Sequence, residues 1–223
     1  MVKSVIKGVI VMAKIVFSDL PMKKELHSFC YVAEGNRNIQ YDGKVVFPVN
    51  AVLAKILTKD EKVKVVILSK EDREGNSAVN LQKFKEELDV INKDIGAKIE
   101  YKNIVTPFVE TRDIHEGLLR SVIGELEEGA EIIGDITYGP KTLPLILFTA
   151  LNFAEKFFGC KIENIVYGKV NFVDDGSGTG KTKPINPVLY DLTPLYFLNA
   201  VTNVMECKNA EEAVRSLDFL LKM

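Results

Sequence analysis

One stretch of this 223-residue chain gathers the residue types that hold an anion: Asp135-Ile136-Thr137-Tyr138-Gly139-Pro140-Lys141-Thr142. It falls between a short apolar run and a long apolar segment with helical spacing. A strand ending here delivers Asp135 and Thr137 at its carboxyl edge. Gly139 permits a tight turn and close approach of backbone to a ligand. A helix starting near Thr142 presents unpaired N–H groups and the positive end of its dipole. Lys141 adds a cation. Together these suit a phosphate. The bland alternative is that Thr142 merely caps the helix while Asp135 is buried and hydrogen-bonded. On chemistry alone the two readings stand even.

Other candidates are weaker. Gly178-Thr179-Gly180-Lys181-Thr182 ends like a phosphate-binding P-loop. The first glycine of that loop is missing, because position 175 is aspartate. Pro184 and Pro187 block the helix that should follow. A flexible, solvated loop is the better account. Asp94 with Glu100 and Lys102 loosely echoes metal-dependent nucleases, at a spacing common by chance. His115, two positions from Asp113, reads as a surface or capping residue. His27 follows Lys23, Lys24 and Glu25 near the end of the first strand, where the bland reading also leads. Cys30, Cys160 and Cys207 are odd in number and lack CxxC spacing, which fits a reducing cytosol. Two histidines and scattered cysteines make a structural zinc site improbable, and no metal or cofactor is expected.

The elements that position these residues alternate. Apolar strands are expected at Ala13–Phe17, Val63–Leu68, Lys98–Val105, Ala130–Ile136 and Ile162–Val173. Helices are expected from Pro48 to about Leu57 and over Asn80–Ile95, Thr111–Leu126 and Leu143–Phe158, with glycine closing several of them. Residues 29–47 carry aromatic and β-branched residues around Gly35-Asn36 and Asp42-Gly43, the pattern of a β-hairpin excursion. Strands alternating with crossover helices mean an open, mostly parallel, Rossmann-like α/β sheet with helices on both faces. Its ligands bind at the carboxyl ends of the strands, so the turns after Phe17, Leu68, Val105, Ile136 and Val166 are the places to search. The division expected is a sheet domain over 1–173, a Gly/Pro/Lys-rich loop over 174–187 and a helical appendage over 188–223, with a break near Cys207-Lys208-Asn209.

Composition narrows the function classes. The 29 basic and 31 acidic residues give a net charge of −2, which excludes a polybasic nucleic-acid binder. No apolar run approaches the length of a membrane span, and Lys3, Lys7 and Lys14 interrupt the amino-terminal stretch. A second start at Met12 fits the strand that begins just after it. The expectation is a soluble, cytoplasmic protein. The tail's few basic residues, Lys208, Arg215 and Lys222, argue against a DNA-recognition helix.

Asp135–Gly139 resembles the DxTHG signature of CRISPR-associated Rossmann-fold (CARF) proteins. Leu143-Pro144 inside the following helix, Tyr167-Gly168 in the next strand, Asp191-Leu192-Thr193 before the carboxyl-terminal helices, and Tyr41-Asp42-Gly43-Lys44 after the first strand agree in order and spacing. The resemblance covers about residues 13–200. It departs at Tyr138, where the signature has histidine, and at Ser18-Asp19-Leu20-Pro21-Met22-Lys23-Lys24, where the family often has a glycine-rich turn.

The resemblance implies a sensor of cyclic oligoadenylate, with tetra-adenylate the expected ring, the RNA-like second messenger of type III CRISPR antiviral defence. It implies a homodimer with one ring across the two-fold axis. The ligand-binding residues it implies are Ser18, Asp19, Lys23, Asp135, Thr137, Tyr138, Gly139, Pro140, Lys141 and Thr142. Many relatives add a ribonuclease domain whose motif is an arginine, about four to six residues, then a histidine. Here Arg112 lies three positions before His115 and no arginine precedes His27. The chain is therefore expected to be a stand-alone sensor or the sensor part of a longer effector. Two alternatives stay open. One is a metal-independent ring nuclease, in which the ligand's 2′-OH attacks the adjacent phosphate with Lys141, Thr137 or Lys23 assisting. The other is an unrelated α/β nucleotide-binding enzyme.

Overall fold

The computed structural model describes residues 13–174, 176 and 181–222. The amino-terminal stretch, with the start expected at Met12, and Gly178–Gly180 lie outside them.

Seven strands form one sheet: β1 (Lys14–Asp19), β2 (Val32–Glu34), β3 (Lys62–Lys70), β4 (Lys98–Thr106), β5 (Glu131–Asp135), β6 (Lys161–Asp174) and β7 (Thr182–Asp191). Their order is β2-β7-β6-β5-β1-β3-β4. β4, β3, β1, β5 and β6 run parallel, while β7 lies antiparallel to β6. The helices are α1 (Pro48–Ile56), α2 (Asn76–Ile95), α3 (Arg112–Gly124), α4 (Leu143–Phe158), α5 (Thr193–Val204) and α6 (Ala210–Leu220). This is the expected mostly parallel, Rossmann-like architecture.

The period of two in the central strands explains the layers. Ile15 and Phe17 of β1, Val66 and Leu68 of β3 and Ile132 of β5 face one core, built with Leu118 and Val122 of α3 and Leu147, Ala150 and Leu151 of α4. Val16, Val65, Ile67 and Ile133 point the other way, onto Val49 and Leu53 of α1 and Phe84 and Leu88 of α2. A strand covered on both faces needs apolar residues at every position, which is why these runs are continuous. The left-handed caps Gly96 and Gly159 close α2 and α4 where glycine was expected to stop them.

Two expectations need correction. Residues 29–47 are not a β-hairpin. An isolated antiparallel bridge joins Phe29 to Val45, and β2 pairs instead with β7. Between them the Gln40 side chain replaces a ladder, bonding the Ala33 N–H and the Tyr31 and Tyr41 carbonyls. Tyr31, Ile39 and Val45 pack with Ala51, Val52, Val166 and Leu189, so the aromatic pattern serves a third core at the sheet edge. The stretch 174–187 is not a loop throughout, because residues 182–187 belong to β7. Pro184 and Pro187 are tolerated there since β2 covers β7 only over Val188–Tyr190.

The carboxyl-terminal segment divides near the expected break. α5 is anchored: Tyr196 is fully buried in the core beside α4, and the Thr193 hydroxyl accepts from the Ile165 N–H at 2.8 Å. α6 buries no residue. Among the described residues no helix is long and apolar enough to cross a membrane.

Candidate functional site

After β1 the chain first lays β2 at the far edge of the sheet and then returns to place β3 and β4 on one side of β1, while β5 and β6 lie on its other side. The sheet order therefore reverses between β1 and β5, and a crevice opens at their carboxyl ends. Ser18 stands directly opposite Asp135 in the β1–β5 register. Its hydroxyl donates to Asp135 Oδ2 at 2.8 Å. Asp19 is the last residue of β1, and its Oδ1 accepts from the Leu20 N–H at 2.6 Å. Ser18, Asp19 and Asp135 are 1%, 2% and 1% exposed.

Burial dominates the electrostatics. It pushes the Asp135 carboxyl up against the hydrogen bonds from Thr137 and Ser18. It pushes Asp19 up to about 7, helped by the charges of Asp135 and Glu110 and opposed by the Leu20 N–H and by Lys70. Asp19 is therefore largely protonated below neutrality, which removes a charge that would repel an anion.

The turn from β5 to α4 is built on Asp135. Its Oδ1 accepts from the Thr137 N–H at 2.9 Å, and the Thr137 hydroxyl accepts from the Gly168 N–H at 2.8 Å. A Cβ on Gly168 would meet Pro48 Cγ at 2.3 Å, so the strand, turn and α1 close tightly. Gly139 has φ +90°, and a Cβ there would lie 2.3 Å from Asp19 Oδ2 and 2.9 Å from Leu143 Cδ2. This glycine lets the turn lie directly over the β1 carboxylate. Tyr138 points away from the crevice: its ring packs edge-on against Phe47 and its hydroxyl donates to the Val46 carbonyl at 3.0 Å. What it offers a ligand is backbone.

At α4 the Leu143 N–H bonds the Pro140 carbonyl at 3.0 Å. Among the described residues nothing accepts from the N–H groups of Tyr138, Gly139, Lys141 or Thr142. Lys141 is exposed beside them. The Thr142 hydroxyl does not cap its helix; it donates to Glu110 Oε2.

The structure thus brings together Ser18, Asp19, Asp135, Thr137, Gly139, Pro140, Lys141 and Thr142. Lys23 is exposed and fixed through its carbonyl, which accepts from Asn80 Nδ2 at 3.0 Å. Glu100 and Lys102 pair with each other at 2.9 Å on β4, the outermost strand. Thr182 begins a strand rather than a helix, which matches the rejection of the P-loop.

Sequence reasoning missed Lys70 and Glu110. Lys70 ends β3, is 5% exposed, and reaches Glu110 Oε1 at 3.3 Å. His115 is no bare surface residue: its Nε2 lies 2.9 Å from Glu110 Oε2. The hydrogen bond from Thr142, with those from His115 and Lys70, holds the Glu110 carboxyl down at about 2. Beside this cluster a cleft of about 760 Å³ opens between the loops after β3 and β4, with Met22, Arg73, Asn76 and Phe108 on its walls.

Fold and geometry together define a Rossmann-like α/β protein whose topological switch point carries, among the described residues, a run of backbone N–H groups without an internal acceptor. No protein-family model matches the chain. Over 118 residues, 49% of this chain, it is 30% identical to a CRISPR-associated protein of Methanocaldococcus jannaschii. The match spans 18% of that protein's length.

Proposed function

We propose that the chain binds a cyclic oligoadenylate at the β5–α4 turn and acts as a sensor in CRISPR-linked defence. The observation that carries this reading is the row of partnerless N–H groups from Tyr138 to Thr142, beside Lys141 and over the buried pair Asp19 and Asp135. Such a row suits phosphates strung along a nucleic-acid backbone. The adjoining cleft supplies an apolar and polar wall, Phe108 with Arg73 and Asn76, of the kind that stacks and reads an unpaired base. Similarity over half of the chain to a CRISPR-associated protein supports the choice of a signalling adenylate over other phosphorylated ligands.

Calorimetry with cyclic tetra-adenylate tests the site. Lys141→Ala is expected to weaken binding by ~1–3 kcal/mol, the loss of one charge-assisted hydrogen bond. Binding within a factor of two of wild type would remove Lys141 and its turn from the site. Lys141 is exposed and among the described residues its side chain pairs with no other, so the substitution leaves the fold intact.

The sensor works as a homodimer on this reading. Leu145 and Phe157 of α4 are 70% and 61% exposed, and Leu195 and Phe197 of α5 are 55% and 43% exposed. One subunit leaves these apolar side chains in water, and a second copy can cover them. Sedimentation without ligand should show a dimer at micromolar concentration, and a monomer there would count against it.

A further inference from the structure

Three donors from separate parts of the fold converge on one carboxylate at the mouth of the crevice. Lys70 comes from the end of β3, Thr142 from the start of α4 and His115 from α3. Lys70 Nζ lies 3.3 Å from Glu110 Oε1, while Glu110 Oε2 accepts from the Thr142 hydroxyl and faces His115 Nε2 at 2.9 Å. Glu110 sits in the segment between β4 and α3 and is 37% exposed.

An ammonium, a hydroxyl and an imidazole around a single oxyanion are also the set that holds a phosphate group. We propose that Glu110 is an internal stand-in for a ligand phosphate, which keeps Lys70, His115 and Thr142 in place and must swing out before an anionic ligand can engage them. The proposal rests on the reading of the neighbouring turn as an anion site.

The physical case has two parts. Lys70 is too buried to be left without a counter-charge, so some anion must face it in the unliganded protein. Glu110 is the residue of the four on a partly exposed connecting segment, so it is the one that can leave. Its carboxyl is held well below the usual range, chiefly by the Thr142 hydroxyl, so it stays ionised and competes at every physiological pH. A ligand phosphate then binds only to the fraction of molecules in which Glu110 has left, and its apparent affinity is lowered by that fraction.

Inorganic phosphate is the probe, with cyclic tetra-adenylate as a second ligand. Glu110→Gln should bind inorganic phosphate at least about fivefold more tightly than wild type, because an uncharged amide competes poorly for Lys70. Adding Lys70→Met should cancel the gain. Equal or weaker phosphate binding by folded Glu110→Gln overturns the proposal. If that variant does not fold, the wild-type chain answers through its two histidines, whose ring NMR signals are told apart with His27→Gln. Phosphate should then shift the His115 signal, relative to chloride of equal ionic strength, and leave His27 unmoved. A His115 signal that stays fixed at saturating phosphate overturns the proposal. A phosphate gain in Glu110→Gln, with no cyclic tetra-adenylate binding by either protein, leaves the stand-in role standing and removes the oligoadenylate reading. Equal oligoadenylate binding without a phosphate gain does the reverse.

Discussion

Lys14→Met is expected to cost the fold about 3 kcal/mol at neutral pH while leaving ligand affinity unchanged. Lys14 begins β1 and is 3% exposed. Its ammonium lies 2.9 Å from Glu163, 3.4 Å from Glu61 and 3.4 Å from Glu131. Burial alone would lower its pKa, but the hydrogen bond and charge of Glu163, with Glu61 and Glu131, outweigh burial and hold it raised. Methionine matches the length of the stem and removes the charge. Three carboxylates are then left facing one another at the amino edge of the sheet. Their side chains are 15–25% exposed, so partial solvation keeps the loss toward the lower end of the range for a broken buried pair. The penalty comes from charge, so it should shrink as pH falls toward about 4. Urea unfolding at both pH values checks this. A loss under about 1 kcal/mol at pH 7 would show the cluster to be an ordinary surface array. Affinity is the internal control, because Lys14 and Asp19 occupy opposite ends of the same strand.

That lysine also shows where sequence reading stops. Among apolar residues it reads as a solvated interruption, and only the convergence of β1 with β5, β6 and the turn that leads into β3 reveals its three partners. The central sheet was legible because both faces are covered, which makes each strand a continuous apolar run. The apolar pattern predicts an end to β1 at Phe17, because the next two residues, Ser18 and Asp19, are polar. They are strand nonetheless, buried by the pairing of Ser18 with Asp135. β7 was hidden by its prolines, whose missing N–H groups matter little where β2 does not reach. The hairpin reading failed because alternating aromatics can serve a core at a sheet edge as well as a partner strand.

In the candidate site the turn from Asp135 to Thr142 was legible, since its chemistry is contiguous in sequence. Glu110 gave no signal: its partners lie on β3, α3 and α4, and nothing local marks them. Lys70 did give one. A lysine that closes the apolar run VKVVILSK stands at the same carboxyl edge as Asp19, and the edge rule already named that turn as a place to search. The sequence places His115 as a surface or capping residue, because the carboxylate it pairs with comes from a loop whose path the sequence does not specify.

Asp19→Asn is expected to flatten the pH dependence of stability between about pH 4 and 7. In the folded protein burial raises the Asp19 carboxyl to about 7, while in the unfolded chain it returns to the ordinary carboxylate value. Between those limits the folded state holds a proton that the unfolded state has lost. Stability is therefore highest below the unfolded value and falls as pH rises through the folded one. The drop attached to this one group is up to about 4 kcal/mol, roughly three pKa units. The groups that face it are Asp135 on β5, which is also raised, Glu110, which adds repulsion, and Lys70 on β3, which opposes both. Asparagine keeps an oxygen for the Leu20 N–H and carries no charge at any pH. The variant should gain on wild type steadily from pH 4.5 to 7.5, with a residual slope left by Asp135. The same proton bears on ligand binding. A phosphate held over Asp19 favours its neutral form, so wild-type affinity should fall as pH passes 7, and the variant should lose that fall. Parallel stability profiles for the two proteins would mean that Asp19 ionises in the folded state as it does in water, and that the crevice beside Gly139 is wetter than its packing shows.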